Sequence, residues 1–195
     1  MAGNRTGTGV QVNLTPLGAR RLLAVPMHEL TNRVVPFDDL FAGDARWLTE
    51  RLAGARDWRD RFALVDAILA ARLVSAPAVA PGVEWAWERL VVSGGAYPIG
   101  DLGAELGWSR KRFVARFREE IGLTPKTASR LLRFDALVAK LGSGRERASW
   151  AELAADLGFS DQAHLAREVR RFSGQTPSQL LGSLIPVRLQ TVTAS

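Results

Sequence analysis

Cysteine is absent from this 195-residue chain. Its absence excludes disulfides, zinc–thiolate sites and a thiol nucleophile, and is compatible with a cytoplasmic setting. Histidine is scarce. His28 and His164 are the only two, so an imidazole metal cage has no material. Neither a metal nor a cofactor is expected. Long apolar runs are missing as well. The longest, Phe62 to Val74, is interrupted by Asp66 and Arg72, and spanning a bilayer takes about 20 mostly apolar residues. Met1-Ala-Gly-Asn-Arg has no apolar core behind it, so no secretory signal is read. Paired carboxylates are few. Asp38-Asp39 and Glu119-Glu120 are adjacent in sequence and point apart on a helix, so no acid–base pair is visible. The chain is not expected to be an enzyme.

What is present is a folding composition. Apolar residues make up 47% of the chain, enough for one good core or two small ones. The net charge is +6, and arginine outnumbers lysine 23 to 3, a bias that GC-rich coding produces as readily as function does. The charge is unevenly placed. Residues 1–97 hold 11 Arg against 10 Asp+Glu, whereas residues 98–195 hold 15 Lys+Arg against 10 Asp+Glu. A surplus confined to one half is either a solvated surface or the footprint of a polyanion such as nucleic acid.

The chain is organised around Leu157 to Pro177, LGFSDQAHLAREVRRFSGQTP. Ser149-Trp150-Ala151-Glu152 reads as a capping box opening a helix that Gly158 closes. Ser160 and Asp161 are N-cap residues, so a second helix begins there. Leu165, Val169 and Phe172 fall on one face of it, and Gln162, Ala163, Ala166 and Arg167 fall on others, facing out. Gly174 stops it, and Thr176-Pro177 starts a third helix. Helix, tight turn and helix with an exposed polar and basic face is the helix-turn-helix plan.

The plan is repeated. Leu106 to Pro125 reads LGWSRKRFVARFREEIGLTP. Leu-Gly-aromatic-Ser recurs at an offset of 51 residues, and Gly-x-Thr-Pro at an offset of 52. One residue is therefore extra in the second copy, and the expectation is that it lies inside the second helix or at its end. Two copies of one punctuation pattern are far less probable by chance than one.

The pair resembles the DNA-binding domain of AraC/XylS-type transcription regulators, which carries two helix-turn-helix units joined by a linker helix. Gly158-Phe159, Asp161, His164, Arg167, Phe172-Ser173-Gly174 and Thr176-Pro177 match its signature. The chain departs from the pattern at Leu165 and Val169, where phenylalanines are usual, and at Ala163, Ala115 and Ala128. The resemblance implies a bacterial-type regulator whose two recognition helices enter successive major grooves of double-stranded DNA. RNA polymerase is a candidate further partner, and the effector is left open. It implies DNA contacts at Arg110, Lys111, Arg112, Val114 and Ala115 in copy one. In copy two it implies Gln162, Ala163, His164, Ala166 and Arg167. Phosphate contacts are implied at Ser109, Thr124, Lys126, Ser160, Arg170 and Thr176. Glutamine suits adenine, and arginine or lysine suits guanine, in the major groove. The competing role for each arginine is a solvated charge, or an ion pair with Glu119, Glu120 or Glu168.

Two alternatives are weighed against this reading. Methyl-transfer repair proteins contain a similar double unit, but their acceptor is a cysteine, which this chain lacks. A protein-interaction module that has lost DNA binding would explain the few polar groups at 114, 115, 163 and 166.

The expected fold is all-α: a helical N-terminal segment (1–97), the double helix-turn-helix domain (98–184) and a tail (185–195). Within the first, Met1 to Gly9 reads as disordered, and alternating Val10, Val12 and Leu14 give a weak strand signal. Helices are expected at 16–24, 38–41, 44–53 and 58–74. The last carries a core stripe of Trp58, Phe62, Val65, Leu69 and Leu73. Ser75 to Gly82 reads as a linker, and Val83, Trp87, Leu90 and Val91 as a further helix face. Trp47, Trp58, Trp85 and Trp87 read as core or interface rather than as a ligand cage. The segment resembles the helical connector of some AraC-type regulators, whose upstream sensor domain has no room here. Helices at 98–106, 109–121, 125–141 and 177–184 complete the domain. Phe113, Phe117 and Ile121 face inward on one, and Leu131, Phe134, Leu137 and Leu141 on the linker helix.

Overall fold

A few side chains set where the helices of this chain begin. The computed structural model describes residues 9–41, 43–143 and 149–184. The expectations for the extreme N-terminus (1–8) and for the tail (185–195) lie outside the described residues. Among these residues there are eleven α-helices, one 3-10 turn and no strand, so the all-α expectation holds. Thr15 caps α1 (Pro16–Leu23), accepting from the Gly18 amide at 3.1 Å. Asp57 caps α4 (Trp58–Val74) through the Asp60 amide at 2.9 Å. Between them lie α2 (Phe37–Leu40) and α3 (Ala45–Gly54). Pro36 occupies the N-cap of α2, and no side chain bonds there. Further on come α5 (Pro81–Val92), α6 (Ile99–Glu105), α7 (Arg110–Ile121), α8 (Pro125–Gly142), α9 (Trp150–Asp156), α10 (Gln162–Ser173) and α11 (Pro177–Ser183).

The chain divides into two compact units. One takes the chain up to Glu84 together with Val114–Leu123; the other takes Trp85–Phe113 and the chain from Thr124 on.

In the first unit, Leu22, Phe41 and Ala45 form a small core, with Leu23, Leu40, Ile68 and Leu69 packed against it. Val10, Val12 and Leu14 form no strand, because no second strand is at hand to complete a ladder. On α4 only Val65 is buried, while Trp58 and Phe62 are 45% and 53% exposed. The helix is apolar on more than one face, so its stripe did not single out the buried side. Trp47 is also half exposed, covered by the Arg51 guanidinium at 5.7 Å, as Trp58 is by Arg61 at 5.2 Å. These cation–π contacts at helical spacing keep Trp47 and Trp58 at the surface, outside the core and in no cage.

Helix α5 starts at Pro81, inside the expected linker, and the second unit begins within it, at Trp85. The second half of the helix packs Ala86 and Leu90, both fully buried, whereas Val91 is 46% exposed. The main core of this unit joins Leu137 of α8 to Leu153, Leu157, Phe159, Leu165, Val169 and Leu180, with Phe134 and Leu141 beside it. Leu131 was expected inward and is 42% exposed. The buried positions of α8 are Pro125, Ala128, Ser129 and Leu137. Ser129 explains the shift. Its hydroxyl donates to the Gly95 carbonyl at 2.6 Å, and Arg133 Nε reaches the same oxygen at 2.9 Å. Gly95 has φ +83°, and a Cβ there would stand 2.1 Å from the Ser129 carbonyl oxygen. This close approach turns α8 so that Ser129, not Leu131, faces the protein.

Candidate nucleic-acid interface

Both helix-turn-helix units are built from the same backbone bonds. In copy one the Trp108 amide donates to the Gly103 carbonyl at 2.9 Å, and Gly107 to Ala104 at 2.9 Å. In copy two Phe159 donates to Ala154 at 2.8 Å, and Gly158 to Ala155 at 3.2 Å. Each donor and acceptor is displaced by 51 residues. Gly107 and Gly158 have φ of +62° and +70°, the left-handed conformation that lets the chain leave one helix and enter the next. A small residue stands buried where the turn folds back, Gly103 in one copy and Ala154 in the other. A Cβ on Gly103 would meet only ordinary contacts at 3.7 Å and beyond, so alanine is tolerated in the second.

The extra residue of copy two lies in the turn, not in the helix as expected. Helices α7 and α10 both run for 12 residues and start 52 apart. The offset therefore changes before Arg110 and Gln162. Ser109 caps α7, its hydroxyl accepting from the Arg112 amide at 3.3 Å. The equivalent cap on α10 is Asp161, accepting from the His164 amide at 2.6 Å. Ser160 is the insertion. Its amide donates to His164 Nδ1 at 3.2 Å, which places the imidazole proton on Nε2. The ring packs edge-on against Phe159 at 5.5 Å. His164 thus closes the turn that the inserted residue lengthens.

At the 52-residue offset the two helices present matching faces. Phe113 and Phe117 are buried in α7, and Leu165 and Val169 in α10. Arg110, Lys111, Arg112 and Ala115 are exposed in copy one, with Val114 half-buried. Gln162, Ala163 and Arg167 are exposed in copy two, with Ala166 and His164 half-buried. The site residues expected from sequence therefore fall on one surface of each helix. Ser109, Lys126, Ser160 and Arg170 are exposed near helix ends, while Thr124 and Thr176 are half-buried. Thr124 caps α8 through the Thr127 amide, and Thr176 makes a full capping box with Gln179.

The acidic residues weighed as ion-pair partners are occupied by other arginines. Arg116 pairs with Glu119 at 2.7 Å. Arg20 Nε lies 2.9 Å from Glu120. Arg130 holds Glu168. Among the described residues, no ion pair engages Arg110, Lys111, Arg167 or Arg170. Arg112 lies over the Trp108 ring at 4.8 Å. The face left free is positive and polar, as a phosphate backbone requires. Sequence reasoning missed the Arg130–Glu168 and Arg20–Glu120 pairs, whose members are far apart in the chain. It also passed over the small pair Gly103 and Ala154, although the 51-residue offset links them.

Among the described residues no helix is long and apolar enough to cross a membrane. A family model described as a helix-turn-helix domain matches residues 102–183, somewhat less than half of the chain, from α6 to α11. No curated protein and no solved structure is significantly similar to the chain. Two turns with the same bonds, two helices with free polar and basic faces and a family match spanning both lead to one statement: residues 102–183 form a double helix-turn-helix domain of the kind that binds DNA, in keeping with the resemblance noted from the sequence.

Proposed function

We propose that the chain is a sequence-specific transcription regulator that inserts α7 and α10 into successive major grooves of one DNA duplex, with residues 98–184 as the reading domain. One observation carries the reading: at a constant 52-residue offset, both helices bury their apolar face and leave a polar, unpaired face exposed. Gln162 and Arg167 are the base-reading side chains of α10, suited to adenine and guanine by paired hydrogen bonds. Lys111 is the base-reading cation of α7, with Val114, Ala115, Ala163 and Ala166 placed to touch thymine methyl groups. Arg110, Arg112, Lys126 and Arg170 serve the phosphates, positioning the domain without reading sequence. The protein acts in the cytoplasm, with RNA polymerase as the partner that such a regulator addresses.

The test is selection from random oligonucleotides with the purified chain. A recovered motif of two short blocks supports the reading. Recovery of no motif, together with duplex binding that does not weaken with salt, overturns it.

A further inference from the structure

The first compact unit contains a recess of about 420 Å³ bounded by α1, α2, α3, α4 and the lead-in from Val10 to Leu14. Its floor is Leu22, Phe41, Leu48 and Val65, each under a tenth exposed. Its mouth is rimmed by Val12, Leu14 and Phe37, each a little over 40% exposed. The alternating lead-in residues, unpaired as a strand, thus have a use as one wall. No charged side chain lines the recess. The polar side chain in the lining belongs to Thr49, and its hydroxyl is already donated to the Ala45 carbonyl at 2.8 Å.

Well-packed interiors have few voids larger than a water molecule, and sites for small molecules run from about 300 to 1,000 Å³. The recess falls in the second class. A charged ligand would lose its hydration and find no partner. A flat protein surface would not reach a floor that lies below a half-exposed rim. The chemistry fits an uncharged hydrophobic molecule of one or two rings.

The same helix that walls the recess also touches α7. Leu22 and Leu23 of α1 face the recess. Arg20, on α1, lies 2.9 Å from Glu120, which is 2% exposed near the end of α7. The Thr31 hydroxyl donates to the Gly122 carbonyl, just past that end, at 2.8 Å. An occupant pressing on α1 therefore bears on the helix that presents Lys111. We propose that the recess is an effector site for a small, uncharged, hydrophobic molecule, read out through α1 on the first recognition helix. The readout rests on the DNA-binding function proposed above; the site itself does not.

The full chain is titrated with N-phenyl-1-naphthylamine, an uncharged dye that fluoresces in apolar surroundings. Saturable binding at one site per chain is expected. Leu52→Trp, which fills the recess, should weaken it at least about tenfold while the circular dichroism melt shows a folded protein. Should that variant not fold, Val12→Asp puts a carboxylate on the exposed rim and should do the same. Non-saturable binding, or affinity unchanged in a folded variant, overturns the site. So does self-association that displaces the dye, since the recess would then seat a second copy. In a second arm, affinity for a selected duplex is measured with and without saturating dye. A shift of at least about threefold, lost in Arg20→Met, is expected. Unchanged affinity with dye bound overturns the effector role. Failure to bind any duplex overturns the DNA reading instead.

Discussion

Arg130 and Glu168 are joined by two parallel hydrogen bonds, Nε to Oε2 at 2.6 Å and Nη2 to Oε1 at 2.5 Å. They fasten the linker helix to the second recognition helix across 38 residues of sequence. Such a fork fixes the rotation of α10 as well as its distance, because the guanidinium and the carboxylate must be coplanar. Beside it, Phe134 and Phe172 pack at 5.3 Å. Which side chains α10 turns outward is therefore decided partly by α8.

Arg130→Met should destabilise the domain by about 3 kcal/mol, since a nearly buried carboxylate loses its partner. Burial alone pushes the Glu168 carboxyl up, but the Arg130 hydrogen bonds and charge outweigh it and hold the group below the usual glutamate range. The sign of the pH dependence follows. With the folded value depressed, the unfolded chain binds more protons, so the stabilisation is complete above the ordinary value of about 4.3. It is lost as pH falls through the folded value. Urea unfolding at pH 7 and pH 3 should show the gap between wild type and variant closing in acid; an unchanged gap would count against the pair.

Gly95→Ala should cost about 3 kcal/mol. The new Cβ would combine a left-handed backbone with a 2.1 Å clash on the Ser129 carbonyl, and the two penalties run to roughly 1–2 and 1–3 kcal/mol. Gly100→Ala is the control. It lies in α6 with open space around its Cβ and should gain roughly 0.5–1 kcal/mol. Thermal melts of the two variants should move in opposite directions.

Local signals made most of this fold legible. Helix α4 begins and ends where Trp58 and Val74 were read, because Asp57 is a cap with a visible target three residues on. The repeat revealed both turns, since glycine and the following aromatic are required by the backbone itself. The register of the insertion was not legible. The flanking motifs bracket it, and only the bonds of Ser109 and Asp161 show which residue is extra. Nor was the buried side of α8, because Gly95 and Ser129 lie 34 residues apart and neither is apolar enough to signal a contact. The outward faces of α7 and α10 were readable for the opposite reason: their inward faces carry large apolar residues at helical spacing.

Arg167→Ala should relax base preference at one position of the site. Arg167 is exposed on α10, and no ion pair among the described residues competes for it. Loss of a paired contact to guanine should cost about 1–3 kcal/mol against the preferred base and little against the others. Titrations with a set of single-base variants of the selected duplex decide the matter. A uniform loss across all of them would make Arg167 a phosphate contact.

The spacing of the two half-sites is the most demanding expectation. Helix α8 has 18 residues and is about 27 Å long at ~1.5 Å per residue. With the width of a flanking helix added, the proposed separation of the recognition helices is about 34 Å, one duplex turn. A single chain should then read a non-palindromic site with two blocks about 10 base pairs apart, on the same side of the DNA. Copy two, carrying Gln162 and Arg167, should show the sharper preference. Copy one should supply more of the charge-driven affinity, through Arg110, Lys111 and Arg112. Replacing those three by glutamine should lower the slope of log affinity against log salt by up to about 3. Arg112 should account for less of this than its charge suggests, since its guanidinium already rests on Trp108. Hydroxyl-radical footprinting on the selected duplex tests the geometry. Two protected patches one turn apart on one side are expected, with a stoichiometry of one chain per site. Protection of a single groove segment, or a strict palindrome bound by two chains, would rule the arrangement out.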